Sequence, residues 1–373
     1  METQLPIIKN FDDLATSKIK KDALDILEIG YESIIVDRLI RSKITIENNN
    51  ICVKDKKICL DDYEKVFLIA VGKCAVSSAK TFEELLGDGI SAGIVLDVKE
   101  GKFKNMISEV GTHPFPSEQN VFTTKSIADI LKDSGKKDLI LTIISGGGSS
   151  LMCLPNKITC EEQKNITDGL MRKGATISEL NTVRKHTSQI KGGQFSKMAY
   201  PSTVVSFILS DVPGDDLSVI ASGPTVKDET TVKDAEKILE KYELEGWKKY
   251  LIETPKKDKY FEKTTNILLG SNLVALKEMK KKAEELGYNT YIEDTKLEGG
   301  AREFGKKLAS KDYLPMSCHI WGGETTVKIL GGGKGGRNQE FVLGALPYLS
   351  QNMVVVAAAS DGWDNSNRAG AIG

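Results

Sequence analysis

Short apolar runs, each followed by glycine or acidic residues, limit the possible folds of this chain more than any other feature. They do not alternate with polar residues, as strands with one solvated face would, and this is typical of parallel strands that are buried on both faces. The first four runs are VFLIAVGK, AGIVLDV, DLILTIISGGG and STVVSFILSDVPGDD, between residues 66 and 216. A second set of predicted strands, less uniformly apolar, follows after residue 265 and comprises NILLG, YNTYIED, SCHIWGGETTVKIL and MVVVAAASDG.

Helical stretches separate these runs. Residues 22–42 carry apolar side chains at mixed helical spacing, which predicts a packing helix ahead of the first strand. The alternation of strands and helices indicates an α/β fold with a doubly wound, mostly parallel sheet of the Rossmann-like kind. The predicted helices between the strands are Ala75–Leu86, Glu118–Lys132, Glu161–Arg172 and Leu180–Ile190.

The length of 373 residues exceeds that of one ordinary domain, so the chain is predicted to form two. Residues 227–263 have few apolar side chains and many lysines, which predicts an exposed helical connector at the junction. We therefore expect an N-terminal Rossmann-like α/β domain over residues 1–245. A second α/β domain is expected over residues 246–373.

Composition narrows the classes of partner. The 51 basic and 52 acidic residues are interspersed and give a net charge of −1, so no overall field favours nucleic acid or an anionic membrane. The six cysteines form no CxxC pair and only three histidines are present, which disfavours a zinc site. No apolar run is long enough to span a bilayer and no targeting signal is visible, so we expect a cytoplasmic protein with small-molecule partners. The sequence is also compatible with a homodimer.

Four predicted strand ends deliver glycine together with polar or charged residues, at the edge where open α/β sheets bind ligands. Glycine lets a backbone approach an anion closely, so several such ends together indicate a ligand that carries phosphate. The four ends are Gly72-Lys73, Ser145-Gly146-Gly147-Gly148-Ser149-Ser150, Ser210 to Asp215, and Ser360-Asp361-Gly362.

A glycine-rich loop lies between a predicted strand and a predicted helix in TTVKILGGGKGGRNQEFVLGAL, Thr325 to Leu346. Gly331 and Gly336 bracket four residues as in a P-loop, but Arg337 and Asn338 stand where that motif needs lysine and a hydroxyl. Gly331, Gly333 and Gly336 also satisfy the dinucleotide pattern GxGxxG, although any glycine-dense loop does so. We expect this loop to seat or cover phosphates, with Arg337 acting on the transferred group.

Each candidate also has a structural interpretation. Lys73 is compatible with a surface lysine, Asp211 and Asp361 with helix caps, and Glu324 with a polar strand position. Arg337 is compatible with pairing to Glu340 in its own helix. His113, in GTHPFPSEQN, is predicted to belong to a rigid loop rather than to act as a base, and the helix that carries Arg184, Lys185 and Lys191 has a solvated basic face as its alternative.

Taken together, the candidates match the parts of a phosphoryl-transfer site. Such a site needs glycine loops for phosphates, a cation for the developing charge, carboxylates for Mg²⁺ and a carboxylate to orient or deprotonate the attacking hydroxyl. A hydride-transfer enzyme would leave most of these strand ends without a role.

Long motifs in this sequence resemble the glycerate 2-kinase family, also called the MOFRL family, over about Val66 to Ile372. The resemblance implies phosphorylation of D-glycerate at its 2-hydroxyl by ATP and Mg²⁺, in a cleft between two α/β domains. It places Lys73, Asp211, Arg337 and Asp361 at positions that line this cleft, with Asp211 and Asp361 as candidate metal ligands. The motifs are IISGGGSSLMCLP, LNTVRKHTSQIKGGQF, ILSDVPGDDLSVIASGPTVKD and GGETTVKILGGGKGGRNQEF.

Two departures and two alternatives accompany this resemblance. The segment WDNSNRAGAIG replaces the small, glycine-rich residues usual after Ser-Asp-Gly, and the family pattern continues past the position of Gly373. An NAD(P)-dependent hydroxypyruvate reductase is the alternative enzyme, and a sugar-phosphate-sensing module is the alternative without catalysis. The remaining candidate residues for substrate or phosphate are Ser145, Gly146, Gly147, Gly148, Ser149, Arg184, Gly331, Gly333, Gly336 and Glu324.

Overall fold

A computed structural model describes residues 6–373 of the chain. Contacts between residues divide it into two units, which are described separately. The larger unit is Leu39–Gly270, and the smaller unit combines residues 6–38 with Ser271–Gly373.

The α-helices, in chain order, are α1 Phe11–Leu14, α2 Lys18–Ser33, α3 Val36–Lys43, α4 Ala75–Leu86, α5 Glu118–Asp133, α6 Gly148–Leu151, α7 Cys160–Arg172, α8 Ile177–His186, α9 Gln194–Ala199, α10 Val232–Lys241, α11 Asn272–Glu285, α12 Ala301–Ala309 and α13 Arg337–Ala345. The strands are β1 Ile44–Glu47, β2 Asn50–Val53, β3 Lys56–Cys59, β4 Lys65–Val71, β5 Ala92–Asp97, β6 Met106–Val110, β7 Asp138–Ile144, β8 Thr203–Leu209, β9 Thr264–Gly270, β10 Asn289–Gly300, β11 Ser317–Thr326, β12 Val356–Ala358 and β13 Gly370–Ile372.

The larger unit is built on a six-stranded sheet in the order β6-β5-β4-β7-β8-β9, with all neighbours parallel. The chain adds strands outward from β4 in one direction and then outward from β7 in the other. This order is that of a doubly wound nucleotide-binding sheet, whose topological switch point lies between β4 and β7. The predicted fold class is confirmed.

Helices cover both faces of this sheet, which explains the continuous apolar runs. On one face Ile127 and Leu131 of α5 pack on Ile69 and Val71 of β4 in a fully buried cluster. Val204 of β8 belongs to the same cluster, so Phe207, three residues on, lies on the opposite face. There its ring meets that of Phe82 in α4, with 5.0 Å between centroids.

The antiparallel meander β1-β2-β3 opens the larger unit and was not predicted. Its strands have four residues each, and only β1, ITIE, alternates strictly between apolar and polar residues, a run too short to predict a strand from the sequence.

The smaller unit contains two short sheets with helices packed on them. Strands β10 and β11 pair in parallel, and β12 and β13 pair antiparallel. Helix α11 packs on α2 and on the β10-β11 pair, and α12 packs on α13. Strand, glycine loop and helix follow one another as predicted between Thr325 and Leu346, but the strand β11 ends at Thr326 and residues 327–330 are not part of it.

Three sequence predictions need correction in detail. The helix predicted over residues 22–42 is two helices, α2 and α3, and the one predicted over Leu180–Ile190 begins earlier and ends at His186. Residues 227–263 are not an exposed connector, because Ala235 and Leu239 of α10 are fully buried in the larger unit. The amphipathic helix buries one face despite its low apolar content.

The predicted domain boundary at residue 245 also differs from the division by contacts. Strand β9 completes the larger sheet, and α2 packs within the smaller unit, so each unit draws on chain that the prediction placed elsewhere. As a statement about independently folding domains, residues 1–245 and 246–373 stay a prediction.

Lys185, for which a solvated basic face was the alternative, belongs to a buried network of charged residues around Asp228. Asp228 is 2% exposed, and its carboxylate accepts hydrogen bonds from Lys185 Nζ at 3.1 Å and from Thr254 Oγ1 at 3.0 Å. Burial raises the pKa of Asp228, but Lys185 and the hydrogen bonds outweigh burial and leave that pKa below its usual range. His186, fully buried, lies 3.4 Å from the same carboxylate. The network ties α8 to the segment around Asp228 and Thr254.

No helix among residues 6–373 is long and apolar enough to cross a membrane.

Asp228→Asn is expected to destabilise the larger unit by about 3–5 kcal/mol, because it leaves the buried Lys185 ammonium without its counter-charge. The folded-state pKa of Asp228 is depressed, so its contribution is present at neutral pH and lost as the pH falls through that pKa. Urea unfolding at pH 7 measures the loss. The matched control is Asp258→Asn. The exposed carboxylate of Asp258 pairs with Lys227 at 2.7 Å, and its substitution is expected to change the unfolding free energy by about 0–1 kcal/mol. Equal effects of the two substitutions would contradict the role given to the network.

Candidate functional site

The switch point of the large sheet brings two predicted strand ends into direct contact. The backbone N–H of Lys73 donates to the Gly146 carbonyl at 2.8 Å, and that of Ser145 donates to the Val71 carbonyl at 3.0 Å. The backbone N–H of Cys74 donates to Ser145 Oγ at 3.2 Å. These bonds continue the β4-β7 pairing past the ends of the strands and fix Lys73 against the loop of residues 145–149, here called the SGGGS loop.

Two glycines make this contact possible. Gly72 has φ +130°, and a Cβ there would lie 2.1 Å from Ser145 Oγ, so any other residue would collide with the SGGGS loop. Gly147 has φ +83°, a left-handed conformation that glycine adopts without strain. The close approach of the two chain segments therefore depends on glycine on both sides.

Asp211 reaches the SGGGS loop from the next strand, β8. A Cβ on Gly146 would lie 2.1 Å from Asp211 Oδ2, so the carboxylate lies directly over that glycine. The turn that carries Asp211 is fixed at its base, because the backbone N–H of Ser210 donates to the Gly270 carbonyl at 2.8 Å. Three predicted site elements, Lys73, the SGGGS loop and Asp211, thus form one cluster.

His113 also belongs to this cluster, although the sequence predicted only a rigid loop for it. A Cβ on Gly147 would lie 3.1 Å from Lys73 Cγ and 3.1 Å from His113 Cδ2, so the two side chains flank the same glycine. Burial and the Lys73 ammonium lower the pKa of His113 below its usual value, while Asp211 acts in the opposite direction. The signal that could have identified it is a histidine directly after a strand whose carboxyl end faces the same edge of the sheet.

Arg184 lies on α8, which hydrogen bonds connect to the SGGGS loop. Ser149 Oγ is 3.3 Å from Ser222 Oγ, which donates to Asn181 Oδ1 at 3.0 Å, and Asn181 stands one helical turn before Arg184. Burial lowers the pKa of Arg184. Lys185 and Lys191 are 6% and 4% exposed, so the solvated basic face is wrong for these two lysines.

Lys191 supports the chain just after the SGGGS loop. Its Nζ donates to the carbonyl of Met152, which follows α6. Burial lowers the pKa of Lys191 to about 8; the neighbouring Cys153 acts against this shift and Arg184 adds to it. A second cation therefore lies beside Arg184 in the interior of the larger unit.

In the smaller unit, Arg337 is the first residue of α13 and pairs with Glu324 of β11, with 2.6 Å between Nη1 and Oε1. Both side chains are about half exposed. The alternative in which Arg337 pairs with Glu340 is wrong, because Glu340 pairs instead with Arg302 of α12.

The N-terminus of α13 is capped by Asp364, a residue of the divergent WDNSN segment. Its carboxylate accepts from the backbone N–H of Asn338 at 3.1 Å and from that of Gln339 at 2.9 Å, and the residue is 2% exposed. This carboxylate uses two of the backbone donors that a phosphate at this helix end would need. The substituted segment thus has a structural role.

Of the remaining candidates of the smaller unit, Gly331, Gly333 and Asp361 are exposed and Gly336 is half-buried. A Cβ on Gly331 or Gly333 would meet nothing within 4 Å, so neither glycine is required by packing in this conformation. A Cβ on Gly336, in contrast, would lie 2.3 Å from Asp364 Oδ1. Asp361 accepts from the backbone N–H of Trp363 at 3.0 Å, a local turn contact. The cleft between domains that the family resemblance implies stays a prediction.

No group of three or more His, Cys, Asp or Glu side chains in residues 6–373 is arranged to hold a metal ion. Mg²⁺ in nucleotide-dependent enzymes needs only one or two carboxylates, because substrate phosphates and water supply its other ligands. A single carboxylate beside a glycine loop, as Asp211 is, fits that requirement.

Comparisons with known proteins agree with this architecture. Residues 22–253 match the family described as a domain of unknown function, DUF4147, and residues 317–373 match the MOFRL family. A D-glycerate 2-kinase from Thermotoga maritima is 37% identical over 375 residues, covering 95% of this chain and 86% of that protein. A glycerate 2-kinase from Pyrococcus horikoshii is 38% identical, covering 94% of this chain and 86% of that protein.

Solved structures give the same result. The crystal structure of a glycerate kinase from Thermotoga maritima has a TM-score of 0.84 at 36% identity, and the match covers 95% of this chain and 86% of that one. The crystal structure of a protein from Pyrococcus horikoshii has a TM-score of 0.81 at 34% identity, with the same coverage of both chains.

Asp364→Ala is expected to destabilise the start of α13 by about 1–3 kcal/mol, because buried helix-end donors lose their acceptor. Amide hydrogen exchange in Phe341–Ala345 should become faster, and Asn367→Ala, an exposed change in the same segment, is the matched control. Unchanged exchange in Asp364→Ala would show that the cap contributes nothing to the helix.

Proposed function

The chain belongs to the glycerate 2-kinase, or MOFRL, family, and we propose that it transfers the γ-phosphoryl group of ATP to the 2-hydroxyl of D-glycerate. The observation that carries this proposal is the cluster at the switch point, where a cation, a glycine loop and a carboxylate meet. Phosphoryl transfer depends on positioning and on electrostatic stabilisation rather than on a covalent intermediate, and these three groups supply both.

The SGGGS loop is assigned to phosphate binding. Its glycines leave room for phosphate oxygens to approach the backbone, and Ser149 adds a hydroxyl at the loop's end. Arg184 stands one helical turn after Asn181, which Ser222 connects to Ser149, and its positive charge is proposed to add to the attraction for anions. Together they favour an anionic group at the carboxyl edge of the sheet.

Asp211 is assigned to the attacking hydroxyl. A carboxylate held over Gly146 accepts a hydrogen bond from the 2-hydroxyl, orients its oxygen and accepts the proton as the bond to phosphorus forms. Lys73 is assigned to the glycerate carboxylate or to an oxygen of the transferring phosphate, because its ammonium is a compact point charge on a flexible stem. Its backbone is fixed by Gly146, so the stem starts from a defined position.

Mg²⁺ and ATP fit the chemistry of these donors. Asp361, in the smaller unit, is a candidate carboxylate ligand, and metal binding is the alternative role for Asp211; either carboxylate would supply one group to a coordination sphere that phosphates would complete. When bound, Mg²⁺ neutralises the charge of the ATP phosphates.

The smaller unit is proposed to supply further contacts to the phosphates. Arg337 offers a planar guanidinium that can bind two oxygens of one phosphoryl group, and Glu324 holds it in place beforehand. Gly331, Gly333 and Gly336 are assigned to the loop that covers ATP. Because Asp364 already caps α13, this loop is proposed to act through Arg337 and its own backbone.

The alternative enzyme, an NAD(P)-dependent reductase, would need a dinucleotide-binding fingerprint, and this sequence pattern is absent from the turn where the fold would place it. In a sheet of this order the dinucleotide fingerprint follows the first strand, here β4. The turn after β4 has one glycine, Gly72, followed by Lys73 and Cys74, so GxGxxG is absent there. A sensor module would have no need of a carboxylate placed over the glycine loop.

The proposal is tested by incubating the protein with D-glycerate, ATP and Mg²⁺ and following the products by phosphorus NMR. We expect ADP and 2-phosphoglycerate to form together, and only when glycerate and Mg²⁺ are present. Oxidation of NADH by hydroxypyruvate without release of ADP would overturn the assignment in favour of the reductase.

Asp211→Asn is expected to lower kcat by about 10²–10⁴-fold while leaving the fold intact, because the amide cannot accept the hydroxyl proton. The control is Asp216→Asn. The Asp216 carboxylate accepts a hydrogen bond from the Ser218 N–H at 2.8 Å, and the amide oxygen of asparagine can accept the same bond. A loss below tenfold in folded Asp211→Asn would contradict the role of base.

A further inference from the structure

The loop between β6 and α5 reaches across the sheet to the glycine loop. Strand β6 is the edge strand, two positions away from β4 and three from β7, yet His113 lies beside Gly147, the residue that ends the turn after β7. A Cβ on Gly147 would be 3.4 Å from His113 Nε2, so this ring nitrogen lies at the surface of the SGGGS loop.

Buried hydrogen bonds hold this loop in position. The side chain of Asn120, fully buried in α5, accepts from the backbone N–H of Thr112 at 2.9 Å. Its amide group donates to the Thr112 carbonyl at 3.0 Å and to the Ser150 carbonyl at 3.0 Å. Ser150 Oγ in turn donates to the Pro114 carbonyl at 2.6 Å.

The residues on both sides of His113 are therefore tied to Ser150, the residue that follows the SGGGS loop. The imidazole itself is exposed, although its backbone is fixed by a buried asparagine. An exposed side chain on a backbone held this firmly, next to a ligand loop, is placed for contact with the ligand rather than for packing.

The polar groups of the proposed substrate match those of the cluster. Glycerate carries a carboxylate, a 2-hydroxyl that reacts and a 3-hydroxyl that does not. With Lys73 at the carboxylate, the first of its two assignments, and Asp211 at the reacting hydroxyl, the 3-hydroxyl of glycerate and the imidazole of His113 remain.

We propose that His113 binds the 3-hydroxyl of D-glycerate through Nε2, and that Asn120 is the positioning residue that holds His113 beside Gly147. This inference rests on the proposed function. Its consequence is selectivity: a contact to the 3-hydroxyl favours glycerate over 2-hydroxy acids that lack it, and it keeps that hydroxyl away from the transferring phosphate.

The test compares D-glycerate with D-lactate, which has a hydrogen in place of the 3-hydroxyl. We expect His113→Ala to lower kcat/KM for D-glycerate by about 10- to 100-fold, because the hydrogen bond to the 3-hydroxyl is lost. For D-lactate the same substitution is expected to change kcat/KM less than threefold. Where turnover of D-lactate is too slow, its inhibition constant against D-glycerate takes the place of kcat/KM.

Two further variants separate recognition from a general disturbance of the loop. His113→Gln retains a polar group that can bind a hydroxyl, and it is expected to recover part of the preference for D-glycerate. Phe115→Ala removes a ring from the same loop, and the centroid of this ring lies 4.5 Å from Lys164 Nζ. This control is expected to change kcat/KM for both substrates less than threefold.

Equal losses on the two substrates, or no loss on D-glycerate, would overturn the assignment of His113. This failure is distinct from failure of the proposed function, because the wild-type protein would still form 2-phosphoglycerate. Absence of that product with the wild-type protein would overturn both.

Discussion

The close approach of two chain segments at the switch point, where glycines let the ends of β4 and β7 meet, is the constraint on which the candidate site depends. Gly72 admits Ser145, and Gly146 admits the Asp211 carboxylate. A larger residue at Gly72 would collide with the backbone of Ser145 and force the two segments apart, whereas a larger residue at Gly146 would displace the Asp211 carboxylate. Lys73, Asp211 and His113 converge only because the backbone at their centre is bare.

Elements away from the site serve to hold it still. The network around Asp228 fixes α8, and α8 carries Asn181 and Arg184 to the far end of the SGGGS loop. Lys191, through the Met152 carbonyl, supports the chain just beyond the loop. Buried charges of this kind are weak contributors to net stability but strong determinants of position, since each is costly to leave without its partner.

Much of the larger unit could be predicted because its signals are local. Continuous apolar runs identify strands buried on both faces, and the convergence of parallel strand ends brings Lys73, the SGGGS loop and Asp211 together without further information. The same reasoning could have placed His113, which follows β6, at this edge of the sheet, but its position beside Gly147 depends on hydrogen bonds from Asn120 and Ser150 across the sheet. The capping of α13 by Asp364 could not be predicted, because it joins residues about 25 positions apart. Nor could the burial of Lys185 and Lys191, since the basic composition of their segment favoured exposure to solvent.

The substitution Gly146→Ala probes the dependence of the site on its bare backbone, since it adds one methyl group at the point where Asp211 meets the SGGGS loop. The Cβ would lie 2.1 Å from Asp211 Oδ2, so the carboxylate must move while the backbone of the sheet stays in place. We expect kcat to fall by about 10²-fold, the scale of an ångström displacement in an active site. The unfolding free energy is expected to stay within about 1 kcal/mol of wild type, as in Gly246→Ala, where a Cβ meets nothing within 4 Å. Near-wild-type turnover in Gly146→Ala would show that the site does not depend on the position of the Asp211 carboxylate over this glycine.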